Sequence, residues 1–364
     1  WFFMEVSFDT RGFTFALKFL GGVFATVFLL YQAAYFAFAA IADIAAKKQE
    51  IQRSIASFET RRTQAGILTA AAVPTPTEEN RVRLAFAGDI MLDRGVERAI
   101  EEYGGGDFRY PFLMIGNELE RYDLLFGNLE GPISDRGRDQ GNGYPFRMDP
   151  RAIEGLAFAG FDMVSVANNH ISDWGAEAIS DTFRRLAEVG IEHVGGGMDW
   201  DEAMDPRIIS LGGLRVAYLA FAESLGGYAS NDGTPVIAVI EEEAIRRSTA
   251  RAAELADIVV VSFHFGEEYA ADPNSFQERM ALLAIDSGAD LVVGHHRHVV
   301  QPMERYKNAY IAYSLGNFVF DQDFSDETMR GMLLEVEIGA KAITGLRIRE
   351  IRINPQFQPE FTAP

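Results

Sequence analysis

Short apolar runs that alternate with helical patterns are the feature that most constrains the fold of this chain. The runs lie at 81–92, 123–130, 161–170, 257–266 and 289–298, and apolar side chains recur at helical spacing over 176–189 and 274–287. Continuous Val, Ile and Leu runs separated by helices are typical of a buried, parallel or mixed sheet. The segment after residue 310 is rich in strand-like sequence, which predicts a second sheet packed on the first. The pattern therefore predicts an α/β protein.

The first part of the chain has a different character. Residues 19–42 carry no charge and are rich in Phe, Leu and Ala, and a helix of about 20 such residues spans a bilayer. We predict a single-pass membrane anchor over 1–48, although a buried helix of a soluble protein is the alternative. A helical stalk and Pro/Thr linker (49–81), a folded body (82–354) and a C-terminal tail (355–364) complete the predicted organisation.

Charge and composition exclude several functions. The chain has 364 residues, no Cys and a formal net charge of −20. Residues 1–81 carry 7 acidic and 8 basic side chains, so a net charge of −21 falls on the remainder. This acidity argues against a nucleic-acid partner, which needs a basic face. The absence of Cys excludes thiolate metal sites and a Cys nucleophile.

Polar side chains stand at the ends of the apolar runs. In open α/β sheets, ligands bind outside the carboxyl ends of the strands. Five of the six His residues lie at these ends, and only His193, which we interpret as structural, stands apart. The residues at the ends are Asp89, Glu130, Asn168, Asn169, His170, His264, His295, His296 and His298.

This combination of side chains predicts a metal site. Carboxylates and neutral imidazoles suit Mn, Fe or Zn, or Mg or Ca where oxygen ligands dominate. A pair of divalent ions lowers the pKa of water and clamps a displacement reaction. Alternatives remain at single positions: Asp89 as a helix N-cap, His264 as a core residue, and one of His295 and His296 turned away by strand alternation. Arg147 is either a binding residue for carboxylate or phosphate or a surface residue.

Six sequence blocks resemble the CapA/PgsA capsule-biosynthesis family, which is similar to the calcineurin-like metallophosphoesterases. The blocks are GD (88–89), NLE (128–130), ANNH (167–170), HFGEEY (264–269), GHHRH (294–298) and YSLGNFVF (313–320). The resemblance implies a four-layer α/β/β/α metallophosphoesterase-like sandwich with a two-metal site at one edge. It also implies an N-terminal transmembrane helix that precedes this sandwich in the chain.

The resemblance also assigns residues. It implies metal ligands at six positions, Asp89, Glu130, Asn169, His264, His296 and His298, with His295 able to shift the last register by one. It implies that His170 donates a proton beside the catalytic Asp89. Glu268 and Asn317 match characteristic positions, which we place with Arg147 on the substrate side. Departures occur at Met91, where ordinary metallophosphoesterases have His, and at Asn128, Phe265 and Arg297.

Two functions follow as expectations. The first is a metal-dependent hydrolase or transferase acting on poly-γ-glutamate or a related anionic capsule polymer. The second is a non-catalytic accessory subunit of a membrane complex for polymer synthesis and export. The resemblance places the body outside the cytoplasmic membrane, whereas the Lys and Arg count around 19–42 favours the opposite orientation.

Overall fold

The computed structural model describes residues 81–223 and 235–362. The predicted anchor (1–48), including the span at 19–42, and the predicted linker up to residue 80 lie outside the described residues. Within the described ranges, no helix combines the length and the apolarity that crossing a bilayer requires.

The described chain forms sixteen strands and seven α-helices. The strands are β1 (Val82–Ile90), β2 (Leu124–Leu129), β3 (Met163–Ser165), β4 (Glu192–Val194), β5 (Gly196–Gly197), β6 (Arg207–Leu211), β7 (Leu214–Ala222), β8 (Val236–Ile237), β9 (Ile258–His264), β10 (Leu291–His295), β11 (Met303–Tyr306), β12 (Ala309–Ala312), β13 (Asn317–Val319), β14 (Arg330–Gly339), β15 (Ala342–Ile353) and β16 (Pro359–Phe361). The helices are α1 (Arg94–Gly104), α2 (Gly116–Leu119), α3 (Ala152–Ala159), α4 (Gly175–Glu188), α5 (Trp200–Met204), α6 (Glu242–Leu255) and α7 (Ser275–Asp286), with a 3-10 turn at Tyr110–Phe112.

Two mixed sheets form the body. The first has the strand order β16-β15-β14-β1-β2-β3-β4, with β13 also pairing with β1, and the second has the order β11-β12-β10-β9-β7-β6. Strands β1, β2 and β3 are parallel to one another, as are β7, β9, β10 and β12. Both sheets thus have a parallel centre, and their strand ends carry the predicted site residues.

The sheets face each other across a shared apolar core. Alternate residues of β7, including Val216 and Tyr218, belong to the same buried cluster as Phe86 and Phe126 of the first sheet. The rings of Phe126 and Tyr218 stack across the two sheets with centroids 6.0 Å apart. Such alternation of buried residues between the two faces of a strand is what the twofold period of a β-strand requires.

Helices complete the outer layers. Buried residues of α6 and α7 form a second core with the other face of β7, β9 and β10. Helices α1, α3 and α4 contribute buried residues to the core of the first sheet. The order helix, sheet, sheet, helix agrees with the four layers expected from the resemblance.

The C-terminal strands depart from the sequence-based prediction. We expected the segment after residue 310 to form a sheet of its own. Instead, β12 extends the second sheet, and β13 to β16 extend the first. The hairpin of β6 and β7 was not predicted at all. The reason is that β14 pairs with β1 along residues Leu334 to Ile338. The C-terminal strands are thereby added to the first sheet.

One glycine sets the geometry beside the site. A Cβ on Gly88 would lie 1.9 Å from the backbone oxygen of Gly316. Only glycine therefore permits these two segments of the chain to approach so closely. The neighbouring Asp89 N–H donates to the same Gly316 oxygen at 3.0 Å. The GD block therefore locks the end of β1 against the turn before β13.

Candidate metal centre

Three buried side chains from the two sheets converge at the strand ends. Asp89 lies on β1, Glu130 directly follows β2, and His264 ends β9. One potential ligand atom from each lies within 4.8 Å of the others. Convergence of carboxylate and imidazole at that spacing makes a divalent cation the natural occupant.

Asn128 bridges the three members of this cluster. Its Nδ2 atom donates to Asp89 Oδ1 at 2.9 Å and lies 3.4 Å from Glu130 Oε2 and 3.3 Å from Nδ1 of His264. Asn128 is buried, and its Oδ1 accepts from Asn168 Nδ2 at 3.2 Å. Asn168 thus acts as a hydrogen-bond partner, and its Nδ2 also donates to the Leu129 carbonyl at 2.8 Å.

The two carboxylates share a buried site without a full set of partners. Burial raises the pKa of Glu130 well above its usual range, and the nearby Asp89 charge raises it further. Burial alone would also raise the pKa of Asp89, but His295 and His298 beside it lower that pKa overall. Glu130 Oε1 has no hydrogen-bond partner although it is buried. A cation bound here would supply the charge compensation that this arrangement lacks.

His264 and Asn169 present ligand atoms to each other. Nε2 of His264 lies 2.7 Å from Oδ1 of Asn169, which can only accept a hydrogen bond. Burial holds the pKa of His264 well below its usual range. The imidazole is therefore neutral, which is the form that binds a metal ion.

The three His residues of the GHHRH block all reach the cluster. His295 Nδ1 lies 3.3 Å from Asp89 Oδ1, and His298 Nε2 lies 3.6 Å from Glu130 Oε1. His296 donates its backbone N–H to Asp89 Oδ2 at 3.2 Å, and its ring centroid lies 4.6 Å from that of His264. Strand alternation does not apply here because β10 ends at His295, and His296 and His298 have positive φ of 89° and 57°. The expectation that one of the first two faces away was therefore wrong.

Asn317 lies behind His298. Its Oδ1 is 2.9 Å from His298 Nδ1, while its Nδ2 donates to Gln322 Oε1 and to the Thr328 carbonyl. The two acceptors fix the amide orientation, so His298 Nδ1 must be the donor and Nε2 is left to face Glu130. Asn317 is fully buried, which suits the orientation of a ligand; the substrate contact that we predicted for it stays a prediction.

His170 forms a separate group with two residues that sequence reasoning missed. Its Nδ1 lies 2.8 Å from Asp173 Oδ2, and its ring stacks on Phe146 with centroids 3.9 Å apart. An ionised Asp only accepts, so Nδ1 carries the proton and Nε2 is free to exchange one. His170 is also close enough to His264, His296 and His298 to lower their pKa values electrostatically.

Arg94 brings a positive charge close enough to act on the cluster, and its role was also missed. Its guanidinium pairs with Asp321 and lies 4.7 Å from the centroid of Phe146. Its charge opposes the rise in the pKa of Glu130. Arg94 has a positive φ of 54°, a conformation that costs a non-glycine residue free energy and is frequent at functional sites. No local sequence pattern predicts this pairing, because 227 residues separate the two partners.

The remaining predicted residues border the site at different depths. Glu268 is exposed, and its charge raises the pKa of Glu130. Arg297 is fully buried, and its Nε and Nη2 donate to the Ala270 carbonyl at 3.3 and 3.0 Å. It thereby holds the loop that carries Glu268. Arg147 lies on the ring of Trp174, with Cζ 3.6 Å from the centroid.

Position 91 offers no hard ligand. Met91 is fully buried, and its sulfur accepts from the Asp93 N–H at 3.1 Å. Where a His would add a nitrogen ligand, the chain places a thioether, a soft ligand that suits Cu(I) better than Mg, Mn or Zn. The remaining carboxylate, amide and imidazole groups fit one or two divalent ions.

The part of the sequence that contains these site residues matches a known protein family. Residues 83–322 match the family described as "Bacterial capsule synthesis protein PGA_cap". The chain belongs to the PGA_cap family. The matched region contains all six blocks and every predicted site residue.

Curated relatives extend the same similarity. The chain is 32% identical over 267 residues to "Capsule biosynthesis protein CapA" of Bacillus anthracis, covering 71% of this chain and 64% of that protein. It is 33% identical over 245 residues to "PGA biosynthesis protein CapA" of Bacillus subtilis, covering 66% and 64%. A Mycobacterium tuberculosis relative, "Probable polyglutamine synthesis accessory protein Rv0574c", is 30% identical over 290 residues, with 66% and 75% covered. The chain thus spans somewhat less than two thirds of the two Bacillus proteins.

Proposed function

We propose that this PGA_cap protein is a metal-dependent hydrolase or transferase that acts on an anionic capsule polymer of the poly-γ-glutamate type. The observation that carries the proposal is the buried group of Asp89, Glu130 and His264, whose ligand atoms lie within 4.8 Å of one another. Burying two carboxylates this close is costly without a cation. Family membership supports the capsule polymer, and the names of the Bacillus and mycobacterial relatives support the polyglutamate type.

The cluster would hold the ions with ligands from both sheets. Glu130 would be one of these ligands, and its two oxygens approach different partners: Oε1 lies near His298 and Oε2 near Asn128. Asn169, His264, His296 and His298 complete the proposed ligand set with Asp89. Divalent ions bound there supply Lewis acidity and lower the pKa of water.

The protein's own groups then serve the proton transfer and the developing charge. His170 Nε2 gives a proton to the leaving group, while Asp173 holds the ring in one tautomer and orientation. Arg94 also contacts the Phe146 ring, and it stabilises negative charge that develops in the site. Burial of Phe146 and Phe320 around these groups excludes water and strengthens both effects.

Location is part of the proposal. We propose that residues 19–42 anchor the chain in the cell membrane with the body on the extracytoplasmic side, as the family resemblance implies. Protease treatment of intact spheroplasts tests the orientation. Degradation of the body supports it, and complete protection that is lost on lysis contradicts it.

Metal analysis and hydrolysis by the purified full chain test the enzymatic proposal. We expect bound divalent metal and release of shorter poly-γ-glutamate chains, with both abolished by EDTA. Replacement of His170 by Gln should remove hydrolysis but keep the metal. His193→Gln is the matched control, because it changes a His outside the site. A metal-loaded wild type that leaves the polymer intact would contradict the enzymatic proposal.

The second candidate function is a non-catalytic accessory subunit of a membrane complex for synthesis and export. Met91 favours it, because one ligand of an ordinary metallophosphoesterase site is replaced by a buried thioether. The mycobacterial relative is itself named an accessory protein. Affinity capture of the full chain from membranes tests this role: specific co-purification of a polymer synthase, unaffected by His170→Gln, supports it, and absence of any synthase component contradicts it.

A further inference from the structure

Arg147 has no anionic partner among the residues that the structure describes. Its guanidinium lies flat on Trp174, with Cζ 3.6 Å from the ring centroid. Within residues 81–223 and 235–362, neither an ion pair nor a side-chain hydrogen bond engages it; only its backbone N–H is bound, to Asp93 Oδ2 at 2.7 Å. Most other Arg residues around the site have a carboxylate or carbonyl partner, so the free fork of Arg147 requires an explanation.

Contacts with a neighbouring loop hold Trp174, on which this guanidinium lies, in place. Trp174 accepts a hydrogen bond at its carbonyl from the Arg138 N–H at 3.1 Å. A Cβ on Gly137 would lie 2.1 Å from the same oxygen, and Gly137 has a φ of 84°. The Gln140 N–H donates to the Asp173 carbonyl at 2.9 Å. The loop from 131 to 150 is therefore fastened to the segment that carries His170, Asp173 and Trp174.

The same fastening places Arg147 beside the proposed catalytic group. Phe146, the preceding residue, stacks on His170 and donates its N–H to Asp173 Oδ2 at 2.8 Å. A group bound by Arg147 is thus next to the region that His170 serves. Arg147 is half-buried, so part of the residue stays accessible from solvent.

We propose that Arg147 on Trp174 forms a carboxylate-binding subsite that holds a side group of the polymer next to the bond presented to His170. The inference rests on the proposed function. A guanidinium that is stacked on an aromatic ring keeps its N–H donors in one plane, and this planar fork matches a carboxylate with two parallel hydrogen bonds. The single fork of Arg147 carries one positive charge, which suits a carboxylate better than a phosphate dianion. Because residues 82–364 carry a net charge of −21, such a local cation is needed to attract an anionic chain.

Binding of synthetic tri-γ-glutamate to the full chain in EDTA tests the subsite without metal or turnover. We expect saturable binding by calorimetry and a change in fluorescence. The chain has three Trp residues, Trp1, Trp174 and Trp200, and Trp174→Phe should remove the change whereas Trp200→Phe should keep it. Arg147→Met should weaken binding about tenfold to a hundredfold, the effect of losing charge-assisted hydrogen bonds.

Controls separate this inference from its alternatives. Arg247→Met makes the same change in net charge at a 76% exposed side chain and should bind like the wild type. Equal affinity of wild type and Arg147→Met, or an absence of binding by the wild type, would overturn the subsite. Inorganic phosphate that competes as well as glutarate would overturn its selectivity for carboxylate. A chain that binds the tripeptide but never hydrolyses the polymer would support the subsite and contradict the enzymatic function.

Discussion

Asp173 Oδ2 accepts two hydrogen bonds at 2.8 Å, one from His170 Nδ1 and one from the Phe146 N–H. A single carboxylate oxygen therefore fixes both the proposed proton donor and the loop whose ring stacks on it. The other oxygen accepts from Asn142. Loop position and ring orientation are coupled through this one buried side chain.

Asp173→Asn tests that coupling. The Asn side chain keeps one oxygen as an acceptor but loses the charge that holds His170, so we expect kcat on poly-γ-glutamate to fall by about a hundredfold to ten-thousandfold. KM and metal content should change little. Asn142→Ala is the control, because it removes only the bond to Oδ1, and it should cost far less. Similar kcat values for Asp173→Asn and wild type would rule out the positioning role.

Asn317→Ala tests the orientation of His298. Loss of the Oδ1 acceptor frees the His298 ring, and removal of such a partner typically weakens metal binding about 10- to 100-fold. Competition against a metal-sensitive dye measures the affinity. Gln322→Ala removes one partner of the Asn317 amide but leaves the bond to His298, so it should bind metal nearly as well as the wild type. An unchanged affinity in Asn317→Ala would show that His298 needs no such support.

Gly137→Ala and Gly141→Ala form a matched pair in the loop that carries Arg147. Both positions have a φ of 84°, but the added Cβ meets Trp174 at Gly137 and nothing within 4 Å at Gly141. Each variant pays the cost of left-handed backbone, about 1–2 kcal/mol. Gly137→Ala should lose more unfolding free energy in urea and should also bind tri-γ-glutamate less tightly. Equal losses in the two variants would contradict the close approach to Trp174.

His193 gives a prediction for pH dependence outside the site. Its ring stacks on Phe183 at 4.1 Å, and burial lowers the pKa of His193 to about 4. The unfolded chain takes up this proton below about pH 6.5, so between pH 6.5 and 4 the unfolded state holds more protons. The unfolding free energy therefore falls as the pH is lowered through this range, by up to about 1.4 kcal/mol per pH unit from this one ring.

His193→Phe isolates that contribution, because Phe keeps a stacked ring and does not titrate. We expect the urea-unfolding free energy of the variant, measured in EDTA, to decline less steeply than that of the wild type below pH 6.5. Other buried imidazoles are common to both proteins and cancel in the difference. Parallel curves would mean that His193 is protonated in the folded chain.

The sequence predicted the strand ends well because their signal is local. Helices expected over 176–189 and 274–287 are found at Gly175–Glu188 and Ser275–Asp286. Asp89, Glu130 and His264 follow apolar runs, and parallel strands bring such ends to one edge. The sequence could not show the partners of Arg94 and Asn128, because those contacts depend on tertiary register. Strand alternation also predicted that one of His295 and His296 faces away from the site. This failed because His296 lies in a left-handed turn and not in an extended strand.

Metal binding by the purified full chain and by Glu130→Gln tests the central claim most directly. We predict about two divalent ions per wild-type chain by elemental analysis, a higher melting temperature with metal than in EDTA, and loss of both in Glu130→Gln. Glu243→Gln, at a 74% exposed side chain of α6, should behave as the wild type. A wild-type chain that binds no divalent ion and whose melting temperature is the same with metal and with EDTA would contradict the claim.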